Sequence, residues 1–126
     1  MNIQLTKHFD FEAAHFLPCV PKGHKCGRMH GHSYRVKLVL EGEEREDVQH
    51  GMLVDYADIA EAWAPIHEML DHRTLNDVEG LKNPTTEVLA PWIYRRLRNE
   101  KTAVARLLHY VTVEESRTTS CTYPAP

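Results

Sequence analysis

The hydrophobic pattern changes period twice along the chain. Residues 2–16, NIQLTKHFDFEAAHF, place Ile3, Leu5, Phe9, Phe11 and Ala13 at alternating positions. That spacing predicts a long strand, bulged near its middle. HSYRVKLVLEG repeats the alternation with Tyr34, Val36, Leu38 and Leu40. From Asp55 the spacing lengthens: Ile59, Trp63, Ile66 and Leu70 form one helical stripe, capped by Asp55 and kinked at Pro65. Asn83 and Pro84 open a second helix, with Pro84 at its first position, Val88, Leu89, Trp92, Ile93 and Leu97 on its apolar face, and Pro91 as a second kink. Alternation returns in HYVTVEES and TTSCTYP, while MLV adds a short candidate strand and EGEEREDVQHG an exposed turn. Strand, strand, helix, helix, strand, strand predicts an α+β fold, a four-stranded antiparallel sheet with both helices on one face.

At 126 residues, with no internal repeat or long linker, the chain reads as a single domain spanning 1–126 and large enough for its own core. A net charge of -3 gives no bulk attraction to nucleic acid or anionic membrane. No signal-peptide pattern and no long apolar run are present, and the three cysteines, Cys19, Cys26 and Cys121, do not form a disulfide framework. The expectation is a cytoplasmic protein with free thiols.

Nine histidines are many for this length. In a strand, residues two apart share a face, so His30 and His32 of CGRMHGH present two imidazoles side by side. Zinc takes such nitrogen ligands, and His15, at the facing end of the first strand, is the candidate third. Cys26 reads two ways. It closes a four-ligand structural cage, or it stands free beside a three-histidine site with an open fourth position, poised between Lys25, Arg28 and the metal to act as a base. His8, His50, His67 and His109 lack a partner pattern and read as ordinary residues; His24 is near the site in sequence and has no assigned role.

Asp71-His72 follows the first helix. The plain account is an imidazole at the negative end of the helix dipole; the functional one is an acid–base pair. Glu114 and Glu115 fall on opposite faces of a strand, and an inward carboxylate suits an aminopyrimidine edge with paired N–H donors. A solvated strand end is the alternative.

Taken together, FEAAHFLP, GHKCGRMHGHSY, LDHRTLND, NPTTEVLA and VEESRTTSC resemble the 6-pyruvoyltetrahydropterin synthase / 6-carboxytetrahydropterin synthase family, in the family's order and over nearly the whole chain. The Cys-x-x-x-His-Gly-His spacing is similar to the bacterial carboxytetrahydropterin branch; the pyruvoyl branch has a longer gap. The resemblance implies zinc on His15, His30 and His32, Cys26 as a proton-accepting thiol, Asp71 and His72 as the pair assisting it, Glu115 as the pterin anchor, and Thr85 and Thr86, with Glu87, along the pterin pocket. It implies a tunnelling fold assembled as a homo-hexamer, a dimer of trimers with sites between subunits. The implied reaction is a zinc-dependent lyase conversion of 7,8-dihydroneopterin triphosphate to 6-carboxy-5,6,7,8-tetrahydropterin, releasing acetaldehyde and triphosphate, on the route to queuosine and related deazapurines. Lys22, Lys25, Arg28 and Lys37 are the cations expected near the triphosphate. Two alternatives stand beside it: a pyruvoyl synthase that keeps the side chain, and a non-catalytic zinc-stabilised binding module.

Overall fold

A computed structural model describes residues 1–126. β1 (Asn2–His15) and β2 (His30–Glu43) pair antiparallel over their full length, from Asn2 opposite Glu43 to His15 opposite His30. This ladder has no register shift, so the expected bulge in β1 is absent. The reason lies in the sequence: the apolar residues from Ile3 to Ala13 are all odd-numbered, so the inward face never slips. Odd positions of β1 and even positions of β2 face the helices. There Phe11 stacks on Tyr34 at 4.8 Å and Phe9 on Trp63 at 5.2 Å.

A four-residue helix, α1 (Glu44–Asp47), occupies the charged stretch expected as a turn, and Met52 of MLV makes only an isolated bridge to Gln49. α2 (Tyr56–Leu70) starts where expected, with Asp55 accepting from the Ala57 N–H at 2.8 Å. It buries Ile59, Trp63, Ile66 and Leu70. β3 (Arg73–Thr74) follows, then α3 (Thr86–Arg98), α4 (Ala103–Leu107), β4 (Leu108–Ser116) and β5 (Thr119–Tyr123). α3 begins two residues later than expected, because the Thr85 hydroxyl, not Asn83, accepts from a first-turn N–H, that of Val88. Pro65 and Pro91 lie inside their helices, and neither ends one.

The sheet order is β3-β1-β2-β4-β5, so it has five strands, not four. The extra strand is two residues long and runs parallel to β1 at Ala13 and Ala14. The other four are antiparallel, with a shift between Val39 and Leu40 in the β2–β4 ladder. Two short helices, α1 and α4, accompany the two expected long ones. One apolar cluster of 22 buried residues joins the inward sheet face to α2, α3 and α4, including Val36, Leu38, Ile59, Leu89, Ile93 and Val111. Buried Asn76 ties the end of β1 to the segment after β3: its Oδ1 accepts from the Phe16 N–H at 3.0 Å, and its Nδ2 donates to the carbonyls of Phe16 and Lys82. No helix is long and apolar enough to cross a membrane.

Candidate metal centre and its surroundings

The β1–β2 register brings His15 directly opposite His30 and sets His32 one inward step further along β2. Their ligand nitrogens lie within 4.8 Å of one another, and they are the only group of three or more potential ligand side chains that converges in this way. Cys26 is outside the group. The Nδ1 of His15 is 2.9 Å from the Pro84 carbonyl, and that of His30 is 2.6 Å from the Arg28 carbonyl. A carbonyl can only accept, so both Nδ1 atoms carry the hydrogen. In the neutral form of both rings the Nε2 atoms are then bare lone pairs, and they face each other at 3.0 Å. The Nε2 of His32 is buried without any hydrogen-bond partner. Two inward ring nitrogens with Nδ1 held by carbonyls, and the unpartnered Nε2 of His32 beside them, suit the donor set of a divalent cation, and carbonyl-held Nδ1–H groups orient such ligands. The residues fit zinc. Burial, the largest influence, holds the His15 imidazole below its ordinary value, against the opposing pull of the Pro84 bond. Burial thus favours the neutral ring, the form that binds metal. Tyr34 places its hydroxyl 3.3 Å from His15 Nδ1, and burial pushes its phenol well above the ordinary range.

Of the two glutamates, Glu115 shares the inward parity of Val111 and Val113 and sits 3.6 Å from His32 Nε2. Glu114 pairs in register with Arg35 and turns to the opposite face. Asp71 caps the end of α2 and is held from β1: its Oδ1 accepts from the Glu12 N–H at 2.9 Å. Its Oδ2 accepts from His72 Nδ1 at 2.8 Å. The Glu12 bond, followed by His72, holds the Asp71 carboxyl below the usual carboxylate range. His72 has φ +57°, a left-handed backbone that costs a non-glycine residue about 1–2 kcal/mol. Its N–H donates to the Glu12 carbonyl at 2.6 Å. Two bonds to one residue of β1 thus fix the pair. His72 and His32 both border a shallow hollow of about 460 Å³ between Glu12, Gly31, Ser33 and Thr74. A larger hollow, about 1200 Å³, lies between α2 and α3 and includes none of the three histidines. Its lining mixes Trp92, Arg95 and Arg96 with Asp58 and Glu61 and has no metal-ligand geometry, so the smaller hollow is the one with chemistry beside it.

Cys26 sits half-buried on a 3-10 turn, Lys25–Gly27. Its carbonyl accepts from the Leu17 N–H at 2.8 Å, and its N–H donates to His24 Nδ1 at 3.0 Å, which gives His24 a local structural role. Thr85 is spent partly on capping α3, and the Thr86 hydroxyl donates to Glu87 at 2.9 Å. The same segment reaches the histidines through the Pro84 carbonyl. Lys22, Lys25 and Arg28 are on the loop before β2, but Lys37 belongs to the outward face, its ammonium over Tyr110 at 5.6 Å. It therefore does not face the histidines, contrary to expectation, because its odd position opposes that of His30 and His32. His67 and His109 are not solitary either: His67 lies 3.4 Å from Asp71 and His109 3.7 Å from Glu41. The i,i+4 spacing of His67 and Asp71 was a readable signal for the first. Nothing in the side-chain sequence marks the Pro84 and Arg28 carbonyls.

The model of the 6-pyruvoyl tetrahydropterin synthase family matches residues 4–126. The chain belongs to this family. Among family relatives, the 6-carboxy-5,6,7,8-tetrahydropterin synthase of Synechocystis sp. is 37% identical over 125 residues, covering 97% of this chain and 93% of the relative. The enzyme of the same name from Bacillus subtilis is 34% identical, covering 97% and 85%. The 6-pyruvoyl tetrahydropterin synthase structure from Caenorhabditis elegans superposes with a TM-score of 0.86 at 28% identity, covering 100% of this chain and 97% of the other. The pterin synthase fold therefore accounts for the sheet and its helices.

Proposed function

We propose that residues 1–126 form one pterin synthase domain, a zinc-dependent lyase that converts 7,8-dihydroneopterin triphosphate to 6-carboxy-5,6,7,8-tetrahydropterin with release of acetaldehyde and triphosphate. In this reading it acts in the cytoplasm, on the route to queuosine. The observation that carries it is the trio of inward Nε2 atoms on His15, His30 and His32, two of them with Nδ1 tied to a carbonyl. The full-length similarity to two carboxytetrahydropterin synthases supports the choice of branch.

When bound, zinc supplies Lewis-acid polarisation of the substrate's side-chain oxygens. The protein does the rest. Glu115, on the same face as His32, accepts the paired N–H donors of the pterin ring, with Thr85 and Thr86 along that pocket. Cys26 Sγ takes a proton from the substrate side chain. His72 relays it at Nε2, the nitrogen left free once Nδ1 is bonded to Asp71. Asp71 holds the tautomer and steadies the imidazolium that results.

The assembly in this reading is a homo-hexamer of two stacked trimers. Its physical motive is the pair of open sheet edges: β3 covers β1 only at Ala13 and Ala14, and β5 carries no further strand. Complementary open edges on one subunit close into a ring when copies pair head to tail. The deciding experiment incubates zinc-loaded protein with dihydroneopterin triphosphate and follows products. Acetaldehyde with the carboxypterin supports the proposal. A retained three-carbon pyruvoyl side chain moves the chain to the other branch, and a folded, zinc-loaded protein without turnover is a binding module.

A further inference from the structure

The Asp71 carboxylate serves two histidines. His72 Nδ1 is 2.8 Å from Oδ2, and His67 Nε2, one turn back on α2, is 3.4 Å from the same oxygen. His67 is half-buried against Trp63, its ring edge-on at 6.5 Å. Its nitrogen has no other acidic partner. Asp71 is on its own helix and His72 just beyond. Glu12 on β1 turns its carboxylate to the Ser33 hydroxyl at 2.7 Å. Lys7, also on β1, lies over Phe9, the ring stacked on Trp63.

We propose that His67 is a positioning residue for His72, sharing the carboxylate oxygen that orients it and so setting the acid limit of its proton relay. This rests on the reading of Asp71 and His72 as the relay pair. The physics is a three-body competition. A carboxylate flanked by one imidazole stabilises that imidazole's protonated form. A second cation on the same oxygen withdraws part of that support and repels the first. A protonated His67 is such a second cation, and with it in place the relay base is kept neutral to lower pH. Both rings border solvent, so the effect is modest, a displacement of about 0.5 pH unit at water-like screening.

The test uses zinc-loaded enzyme and two opposite substitutions. His67→Gln removes the titrating charge; His67→Lys keeps a permanent one within reach of Asp71. The acid limb of kcat, read within each variant as the ratio of rates at pH 6 and pH 8, is insensitive to the fraction of active protein. It should move to higher pH in H67Q and to lower pH in H67K, with KM little changed. The imidazole titration of His72, followed by NMR without substrate, should move in the same two directions. Unmoved curves in both variants, or shifts of the same sign, overturn the proposal. His72→Ala separates it from the reading beneath it. Full turnover in that variant removes the relay itself, whereas lost turnover alongside unmoved H67Q and H67K curves removes only the role of His67.

Discussion

Replacing Cys26 by alanine separates a cysteine-containing cage from an open three-histidine site. The convergent ligand atoms are those of His15, His30 and His32, and Cys26 is held on its turn by backbone bonds to Leu17 and His24 that alanine keeps. C26A should therefore bind one zinc per chain as the wild type does. Truncating a half-buried thiol costs at most about 1 kcal/mol of fold stability. Zinc held by the native state alone stabilises it by about 2.7 kcal/mol when free metal is 100 times Kd. For a chain of this length 1 kcal/mol corresponds to about 3–5 °C in Tm, so zinc should raise Tm by about 8–13 °C. The increment should be the same in C26A and in the wild type, while turnover falls in C26A alone. The assay is a thermal melt of chelator-stripped protein with and without zinc, beside metal analysis of the dialysed sample. His32→Ala is the control that loses the increment. A C26A protein with less than one zinc per chain, or with no increment, would falsify the open-site argument and make the cysteine a ligand.

Three further outcomes follow from the same geometry. Asp71 is a carboxylate held below its ordinary value, so its contribution is present above the unfolded value of about 3.9 and lost as pH falls through the native one. Asp71→Asn should thus destabilise at pH 7, with the gap to wild type closing below about pH 4 in urea melts; a pH-independent gap contradicts it. His72→Gly relieves a left-handed backbone at φ +57°, so stability should hold within about 1 kcal/mol or rise, while kcat drops about 10²–10⁴-fold; parallel losses of both would mean that His72 is structural. Reversing the charges of Lys25 and Arg28 together should raise KM for the triphosphate substrate about tenfold, more at low salt, and an unchanged KM takes these cations out of the site.

Where side-chain identity carried the information, the sequence was sufficient. The odd parity of Ile3 to Ala13 and the even parity of Tyr34 to Leu40 set which face of each strand is buried, and the same parity put His30 and His32 inward. The stripe Ile59, Trp63, Ile66 and Leu70 was legible for the same reason, since period is a property of side chains. What escaped depends on backbone groups, which every residue has. β3 exists because the left-handed turn at His72 delivers Arg73 and Thr74 alongside Ala13 and Ala14. The Asp71 anchor is the N–H of Glu12, and the histidine orienters are two carbonyls, so no side-chain pattern could announce them. α4 escaped because five residues are too few for a helical period to stand out before the alternation of β4.

The division of labour at CGRMHGH follows from that distinction. His30 and His32 lie on a strand whose register is fixed by twelve further pairs on the β1–β2 ladder beyond the two that contain them, so their ligand atoms are placed by the whole sheet. Cys26 lies on a three-residue turn held by two local bonds. A strand ladder is one way to hold a metal ligand's donor atom close to its place before the metal binds. A proton acceptor that must approach and leave a reacting carbon is suited to a short turn. A rigid ladder for the metal ligands and a short turn for the thiol match the proposed open site, and the C26A experiment decides between it and a cage.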